Sequence, residues 1–240
     1  MSFIFKKELS NSLIGVPVSN ALKSELLDEF GETYREKMFT IHNGVDIETF
    51  DREYNSVGND IEESNETILF AGRLFWRKGA LNLIKIAHHL QHQKLDFKII
   101  VHGTGPLFGR MKKEIRESGL TNLDLKGFTN RKQFLRSMKK SKYVIIPSFY
   151  EACPMVLLES MCLGKIPIMF DLPYSREFTQ NGKYAVLAKN IGDLSMRLKA
   201  LSRSGDPKHL GKDIMLYSRK EYDIKRIVLK YHSLYKKILN

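Results

Sequence analysis

Residues 67–93 read Thr-Ile-Leu-Phe-Ala-Gly-Arg-Leu-Phe-Trp-Arg-Lys-Gly-Ala-Leu-Asn-Leu-Ile-Lys-Ile-Ala-His-His-Leu-Gln-His-Gln. Within this stretch the hydrophobic period changes from that of a strand to that of a helix. Thr67–Ala71 is a short β-rich run. Gly72-Arg73-Leu74-Phe75-Trp76-Arg77-Lys78-Gly79 is a loop bounded by glycines, and from Ala80 to Gln93 the apolar Leu83, Ile84, Ala87 and Leu90 recur at helical spacing. The same unit repeats downstream. Strands are expected at Phe97–His102, Leu123–Lys126, Tyr143–Pro147, Ile166–Met169 and Tyr184–Leu187, with helices at Leu107–Ser118, Arg131–Lys140, Met155–Leu163 and Gly192–Leu201. Strands alternating with helices of this length build a parallel sheet covered on both sides. The expected class is α/β, a Rossmann-like parallel sheet with helices on both faces, over residues 66–205.

The flanks read differently. Ser19 is placed to cap a helix carrying Leu22, Leu26, Leu27 and Phe30 and ended by Gly31. A short strand, Met38–Ile41, runs into the Asn43-Gly44 turn. One helix and one strand do not make a domain, so residues 1–50 read as the tail of a unit that these 240 residues do not contain. The helix around Leu22–Phe30 is then expected to leave apolar surface uncovered. Residues 51–65 are polar and acidic, a linker or surface loop. In residues 206–240, Ile224, Ile227, Val228, Tyr231, Leu234, Tyr235 and Ile238 share one helical stripe beside Lys225, Arg226, Lys230, Lys236 and Lys237. A docked basic helix is the plainer reading and an interfacial membrane helix the sharper one.

Composition bounds the rest. With 42% hydrophobic and 28% charged residues the chain is ordinary for a globular protein. No stretch approaches the ~20 apolar residues of a membrane span, and Met1–Lys7 lacks the features of a signal peptide. Cys153 and Cys162 lie in one apolar helical run and are expected to be buried, reduced thiols, which points to the cytoplasm. The net charge of +12 gathers at Arg131–Lys142 and Lys208–Lys237. Neither cluster interleaves aromatics as single-strand nucleic-acid platforms do, so no nucleic-acid partner is expected. Solvated basic faces, or peripheral contact with an inner membrane surface, account for the charge. His88 and His92, one helical turn apart, are read as surface residues rather than a metal pair.

In an open α/β sheet the ligand crevice lies at the carboxyl ends of the strands. Arg73 and Lys78 follow the first strand there and suit a polyphosphate, while Gly103 and Gly105 follow the second and allow close backbone approach. Pro147-Ser148-Phe149-Tyr150-Glu151-Ala152-Cys153-Pro154-Met155-Val156-Leu157-Leu158-Glu159-Ser160-Met161-Cys162-Leu163-Gly164 carries the most chemistry. Pro154 opens and Gly164 closes a helix so apolar that it is expected to be buried all round, with Glu159 interrupting it.

Glu151 and Glu159, with seven residues between them, resemble the E-x7-E signature of retaining glycosyltransferases of family 4, which have the GT-B fold. The loop Gly72–Gly79, Gly103-Thr104-Gly105-Pro106, Lys126-Gly127-Phe128 and Pro147-Ser148 match in order and spacing. Ile41-His42-Asn43-Gly44-Val45-Asp46 resembles the hinge between that family's two domains. The resemblance covers residues 14–200 and implies the C-terminal, donor-binding half of a GT-B fold. It implies that Arg73 and Lys78 hold the donor diphosphate beside Gly72 and Gly103, and that Glu159 accepts from the ribose hydroxyls. Glu151, with the amides of Ala152, Cys153 and Met155, would position the sugar and its phosphate, and Gly127 and Phe128 would lie against the base. No Asp-x-Asp occurs, which agrees with the metal-independent transfer the family implies, and no cofactor is expected. The activity implied is transfer of a hexose from a nucleotide-diphosphate sugar to a glycan or lipid-linked acceptor, incomplete without an N-terminal acceptor half as a partner chain or further sequence. A truncated nucleotide-binding module is the alternative. Two departures stand out: Ala152-Cys153-Pro154 replaces Gly-Phe-Gly, so Pro154 offers no N–H there, and the family's catalytic histidine domain has no counterpart.

Overall fold

The computed structural model describes residues 11–58, 60–204 and 209–239. Its centre is a six-stranded parallel sheet in the order β3-β2-β1-β4-β5-β6, made of β1 (Ser64–Ala71), β2 (Lys98–His102), β3 (Leu123–Gly127), β4 (Ser141–Ile146), β5 (Ile166–Phe170) and β6 (Val186–Ala188). Ile68, Leu69, Val101, Val144 and Ile168 are almost wholly buried, as strands covered on both faces require. Ahead of the sheet lie α1 (Asn20–Phe30) and α2 (Ile47–Ser56), and between its strands run α3 (Ala80–His92), α4 (Phe108–Glu117), α5 (Arg131–Lys140), α6 (Met155–Cys162) and α7 (Pro173–Phe178). After β6 come α8 (Ile191–Ser204), α9 (Leu210–Tyr222) and α10 (Ile224–Leu239). Helix α3 packs with α4 and α8, and α6 packs with α9, so helices flank both faces.

The expected fold class holds, and several local expectations change. Strand β4 begins at Ser141, directly after α5, where Lys142 is buried with its Nζ donating to Asn65 Oδ1 at 2.8 Å. Strand β6 begins only at Val186, because the Tyr184 amide is taken by the Thr179 carbonyl at 3.1 Å. Met38–Ile41 is not a strand but an extended segment bridging to Gly15. The expected linker is helical to Ser56: Asp46 caps α2 through the Thr49 amide at 3.1 Å, and Phe50 and Val57 enter the main core. Asp51 accepts from Arg219 Nη1 at 2.7 Å, which ties α2 to α9.

Helix α1 does not leave its apolar face open. Leu27 is 2% and Phe30 8% exposed, packed with Met38 and Tyr34, and the α1 N-terminus docks on α7. Glu177 makes that joint: its Oε1 accepts from the Asn20 amide at 2.7 Å and Oε2 from the Ala21 amide at 2.9 Å, and Oε1 lies 2.7 Å from His42 Nε2. Helix α10 is docked by Ile227 and Leu234 against Ile41. Among the described residues no helix is long and apolar enough to cross a membrane. The segments Met1–Lys7, Asn59 and Lys208, with the boundary at 205–206, lie outside the described residues.

Burial alone would raise the Glu177 carboxyl, but the His42 hydrogen bond and the two amides outweigh it and hold it below the usual carboxylate range. A depressed carboxylate contributes stability above its unfolded value, ~4.3, and loses it as pH falls through the folded value. Glu177→Gln is therefore expected to destabilise the chain at pH 7 by about 1.5–3 kcal/mol, with a smaller difference from wild type below pH 4. Urea titrations at both pH values check this, and an equal loss at both would show that the carboxylate charge is irrelevant.

Candidate functional site

The sheet order places a topological switch point between β1 and β4: the chain moves outward through β2 and β3, then returns to the other side of β1. Crevices at the carboxyl ends of strands form at such points. Here four loops converge, 72–79 after β1, 103–107 after β2, 128–130 after β3 and 147–154 after β4.

Backbone hydrogen bonds lock the first three together. The Gly72 amide donates to His102 O at 3.0 Å, Leu74 to Thr104 O at 2.9 Å, Gly103 to Gly127 O at 2.8 Å and Leu107 to Leu74 O at 3.1 Å. Gly103 has φ +143°, and a Cβ there would lie 1.9 Å from Gly72 O. Gly79, at φ +67°, closes the 3-10 turn Trp76–Lys78, and its own Cβ would lie 1.9 Å from Pro147 O. Both positions need glycine for conformation and for space.

The resulting cleft holds about 520 Å³ and is lined by Gly72, Arg73, Gly103, Phe128, Arg131 and Glu159, with Ala71, His102, Thr104, Thr129, Asn130, Phe134 and Val156 completing the wall. Five expected residues, Gly72, Arg73, Gly103, Phe128 and Glu159, are thus brought together. Phe128 is 83% exposed at the rim, just after Gly127 in its left-handed turn. Arg73 lines the cleft with no ion pair among the described residues, its guanidinium over the Phe75 ring at 5.9 Å from the centroid.

Helix α6 is not buried all round. Leu157, Leu158, Met161 and Cys162 face the core, while Val156 and Glu159 face the cleft and Met155 is exposed. Burial pushes the Glu159 carboxyl up, opposed by Arg131, whose Nη1 donates to Glu159 Oε1 at 2.9 Å. Arg131 also donates through Nε to Glu53 Oε2 at 2.9 Å, with its guanidinium over the Phe50 and Phe134 rings.

Lys78 and Glu151 stand apart from this cleft. The 3-10 turn aims Lys78 at the loop before α6, where its Nζ meets Glu151 Oε1 at 2.7 Å and Oε2 at 2.8 Å. Glu151 is 9% exposed and also accepts from Ser148 Oγ at 2.7 Å, while Ser148 O accepts from Tyr174 OH at 3.0 Å. Lys78 thus does not line the cleft with Arg73 in this structure; its ammonium is held by Glu151.

Pro154 occupies the cap position, extended at φ −73° and ψ 110°, one residue earlier than the first helical position expected. The amides of Ala152, Cys153, Met155 and Val156 make no hydrogen bond among the described residues, and they precede or open a helix whose dipole favours an anion. Both cysteines are free, and burial pushes both thiols to about 11. His88 and His92 are exposed, and the described residues contain no cluster of three or more metal-ligating side chains.

Arg131 and His102 carry weight that their sequence positions did not announce. Arg131 opens the helix after β3, and that placement beside a strand end was the available signal. His102 was visible only as part of the loop after β2.

The family model described as glycosyl transferases group 1 matches residues 51–213. The uncharacterized glycosyltransferase MJ1607 of Methanocaldococcus jannaschii is 28% identical over 159 residues, 62% of this chain and 40% of its own length. The GDP-mannose:cellobiosyl-diphosphopolyprenol alpha-mannosyltransferase of Xanthomonas campestris is 23% identical over 158 residues, 64% of this chain and 40% of that protein. The chain therefore spans well under half the length of these relatives. Among solved structures, a mutant of S. aureus TarM in complex with fondaparinux, alpha-GlcNAc-glycerol and UDP superposes with a TM-score of 0.80 at 20% identity, over 97% of this chain and 45% of that one. That likeness shows the fold.

Proposed function

The chain belongs to the glycosyl transferases group 1 family, as a GT-B, family 4-like domain, and on that premise we propose that it binds the nucleotide-sugar donor of a retaining hexosyltransferase. One observation carries the reading. Arg73, the Glu159 carboxylate and the glycine-lined approach at Gly103 face one cleft at the sheet's switch point. A nucleoside diphosphate would place its base against Phe128, its ribose hydroxyls on Glu159 and its phosphates between Arg73 and the free amides of Ala152–Val156. Glu151 would orient the sugar, and Lys78 beside it would offset charge growing on the leaving diphosphate. The relatives' greater length supports an acceptor side supplied by sequence outside these 240 residues. The acceptor proposed is a glycan or lipid-linked sugar, and the cations are side chains rather than a metal.

Nucleoside diphosphates are expected to stabilise the chain in EDTA, by about 2.7 kcal/mol at a concentration ~100 times the dissociation constant. Thermal denaturation with and without UDP, GDP and ADP measures this. Stabilisation that appears only with added divalent metal would overturn the metal-independent reading, and none with any of the three would overturn the donor reading.

Glu159→Gln removes a charged acceptor for two hydroxyls and should weaken nucleotide binding by about 1.5–3 kcal/mol. Arg131 keeps Glu53, so the fold should hold. Titration calorimetry decides it, and unchanged affinity would make Glu159 purely structural. Glu151→Ala should reduce transfer more than nucleotide affinity, and the opposite order would exchange the two roles.

A further inference from the structure

The cleft does not end at Phe128. A second cavity of about 340 Å³ lies beyond it, lined by Lys126, Gln133, Arg136 and Ser137, and it shares His102, Phe128 and Thr129 with the first. No carboxylate lines it. Arg136 makes no ion pair or hydrogen bond among the described residues, so its guanidinium is available to a ligand. Lys126 pairs with Asp124 at 2.8 Å, which leaves further ammonium donors.

The floor between the two cavities is fixed. His102 is buried, with Nδ1 2.6 Å from Thr129 Oγ1 and Nε2 2.8 Å from Ser137 Oγ. Burial first, and Lys126 second, hold the imidazole below its usual value against the opposing Asp124, which favours the neutral ring. A neutral ring donates through one nitrogen and accepts through the other, so both hydroxyls are held. Gln133 Oε1 accepts from the Asn130 amide at 3.1 Å in the cap of α5, which holds the side chain in place. The charged groups left to meet a ligand are therefore the cations Arg136 and Lys126, with the Gln133 Nε2 amide beside them as a further donor.

We propose that this second cavity receives the far edge of the nucleobase and makes the site selective for guanine, an inference that rests on the donor reading above. From the same contact with Phe128, a bicyclic purine reaches further into this second cavity than a single-ring pyrimidine does. Guanine presents two acceptors, O6 and N7, on one edge, which suit an arginine fork or a lysine. Adenine presents an amino donor at the same place, facing the Arg136 and Lys126 cations, which accept no hydrogen bond. Arg136 is the specificity-determining residue, and His102 is a positioning residue that holds Thr129 and Ser137.

The test is titration calorimetry of the 240-residue chain with GDP, ADP, UDP and CDP at one fixed salt concentration. GDP should bind at least about fivefold more tightly than each of the others, the lower end of what a two-point base contact discriminates. Arg136→Ala, an exposed substitution, should weaken GDP binding and leave UDP binding unchanged, so that the preference collapses. Lys126→Ala should reduce the preference in the same direction. UDP or CDP binding as tightly as GDP would overturn the proposal while leaving the donor reading intact. ADP matching GDP would show that ring size alone matters, and an equal loss for all four in Arg136→Ala would reduce Arg136 to a general phosphate attractant; either result sinks the guanine assignment. Binding of none of the four would remove the donor reading, and this proposal with it.

Discussion

Gly103→Ala should unfold the carboxyl edge of the sheet, at a cost of about 3–5 kcal/mol. Two effects add. The residue sits at φ +143°, where an L side chain is strained by about 1–3 kcal/mol. Its new Cβ would also lie 1.9 Å from the Gly72 carbonyl, a backbone atom that cannot swing aside as a side chain can. Relief requires separating the loops after β1 and β2, which breaks the bond from the Gly72 amide to His102 O. Nucleotide binding should fall with stability, because Gly72 and Arg73 ride on the displaced loop. The control is Gly109→Ala in α4, where a Cβ meets nothing within 4 Å. That change should stabilise by about 0.4–1 kcal/mol. Denaturant titrations of both variants measure the contrast, and a Gly103→Ala protein as stable as wild type would show that the loops are not locked as described.

With the acceptor half supplied, Lys78→Met is expected to lower sugar transfer by about 10²–10³-fold, the usual effect of removing one preorganised donor at a developing charge. It also leaves Glu151 without its ammonium, although Ser148 still donates to it. Lys78 is partly exposed, so the stability loss should stay near about 1–3 kcal/mol. Stability and chemistry can be separated with the double variant Lys78→Met with Glu151→Gln, which removes the stranded charge. Folding stability should recover there, while release of labelled sugar from the nucleotide-sugar should fall below that of Glu151→Gln alone. Release equal to that of Glu151→Gln alone would show that Lys78 serves only to neutralise Glu151.

The parallel sheet was legible because each strand is a short apolar run between turn signals and each helix carries its own stripe. Helix α5 was readable to the residue, since Asn130 and Gln133 form its cap locally. Features resting on distant partners were not. Helix α2 looks like a polar linker because its anchors are Phe50 and Val57 in the core and a bond from Asp51 to Arg219, far along the chain. Helix α7 has only six residues, too few to show a period, and only Pro173 marks it. In the site, Arg73 and Gly103 were recoverable from their places after strand ends, and Phe128 and Glu159 from the resemblance of their motifs. The Lys78–Glu151 pair and the reach of Arg131 to Glu159 depend on which strands become neighbours, and composition does not encode that.

The most direct test of the donor site is a crystal structure of the chain with a nucleoside diphosphate bound in the presence of EDTA. The account predicts the base against Phe128, the ribose hydroxyls on the Glu159 carboxylate, and the diphosphate between Arg73 and the amides of Ala152–Val156. A diphosphate bound elsewhere on the chain, with Glu159 still held by Arg131 and untouched by ribose, would contradict it.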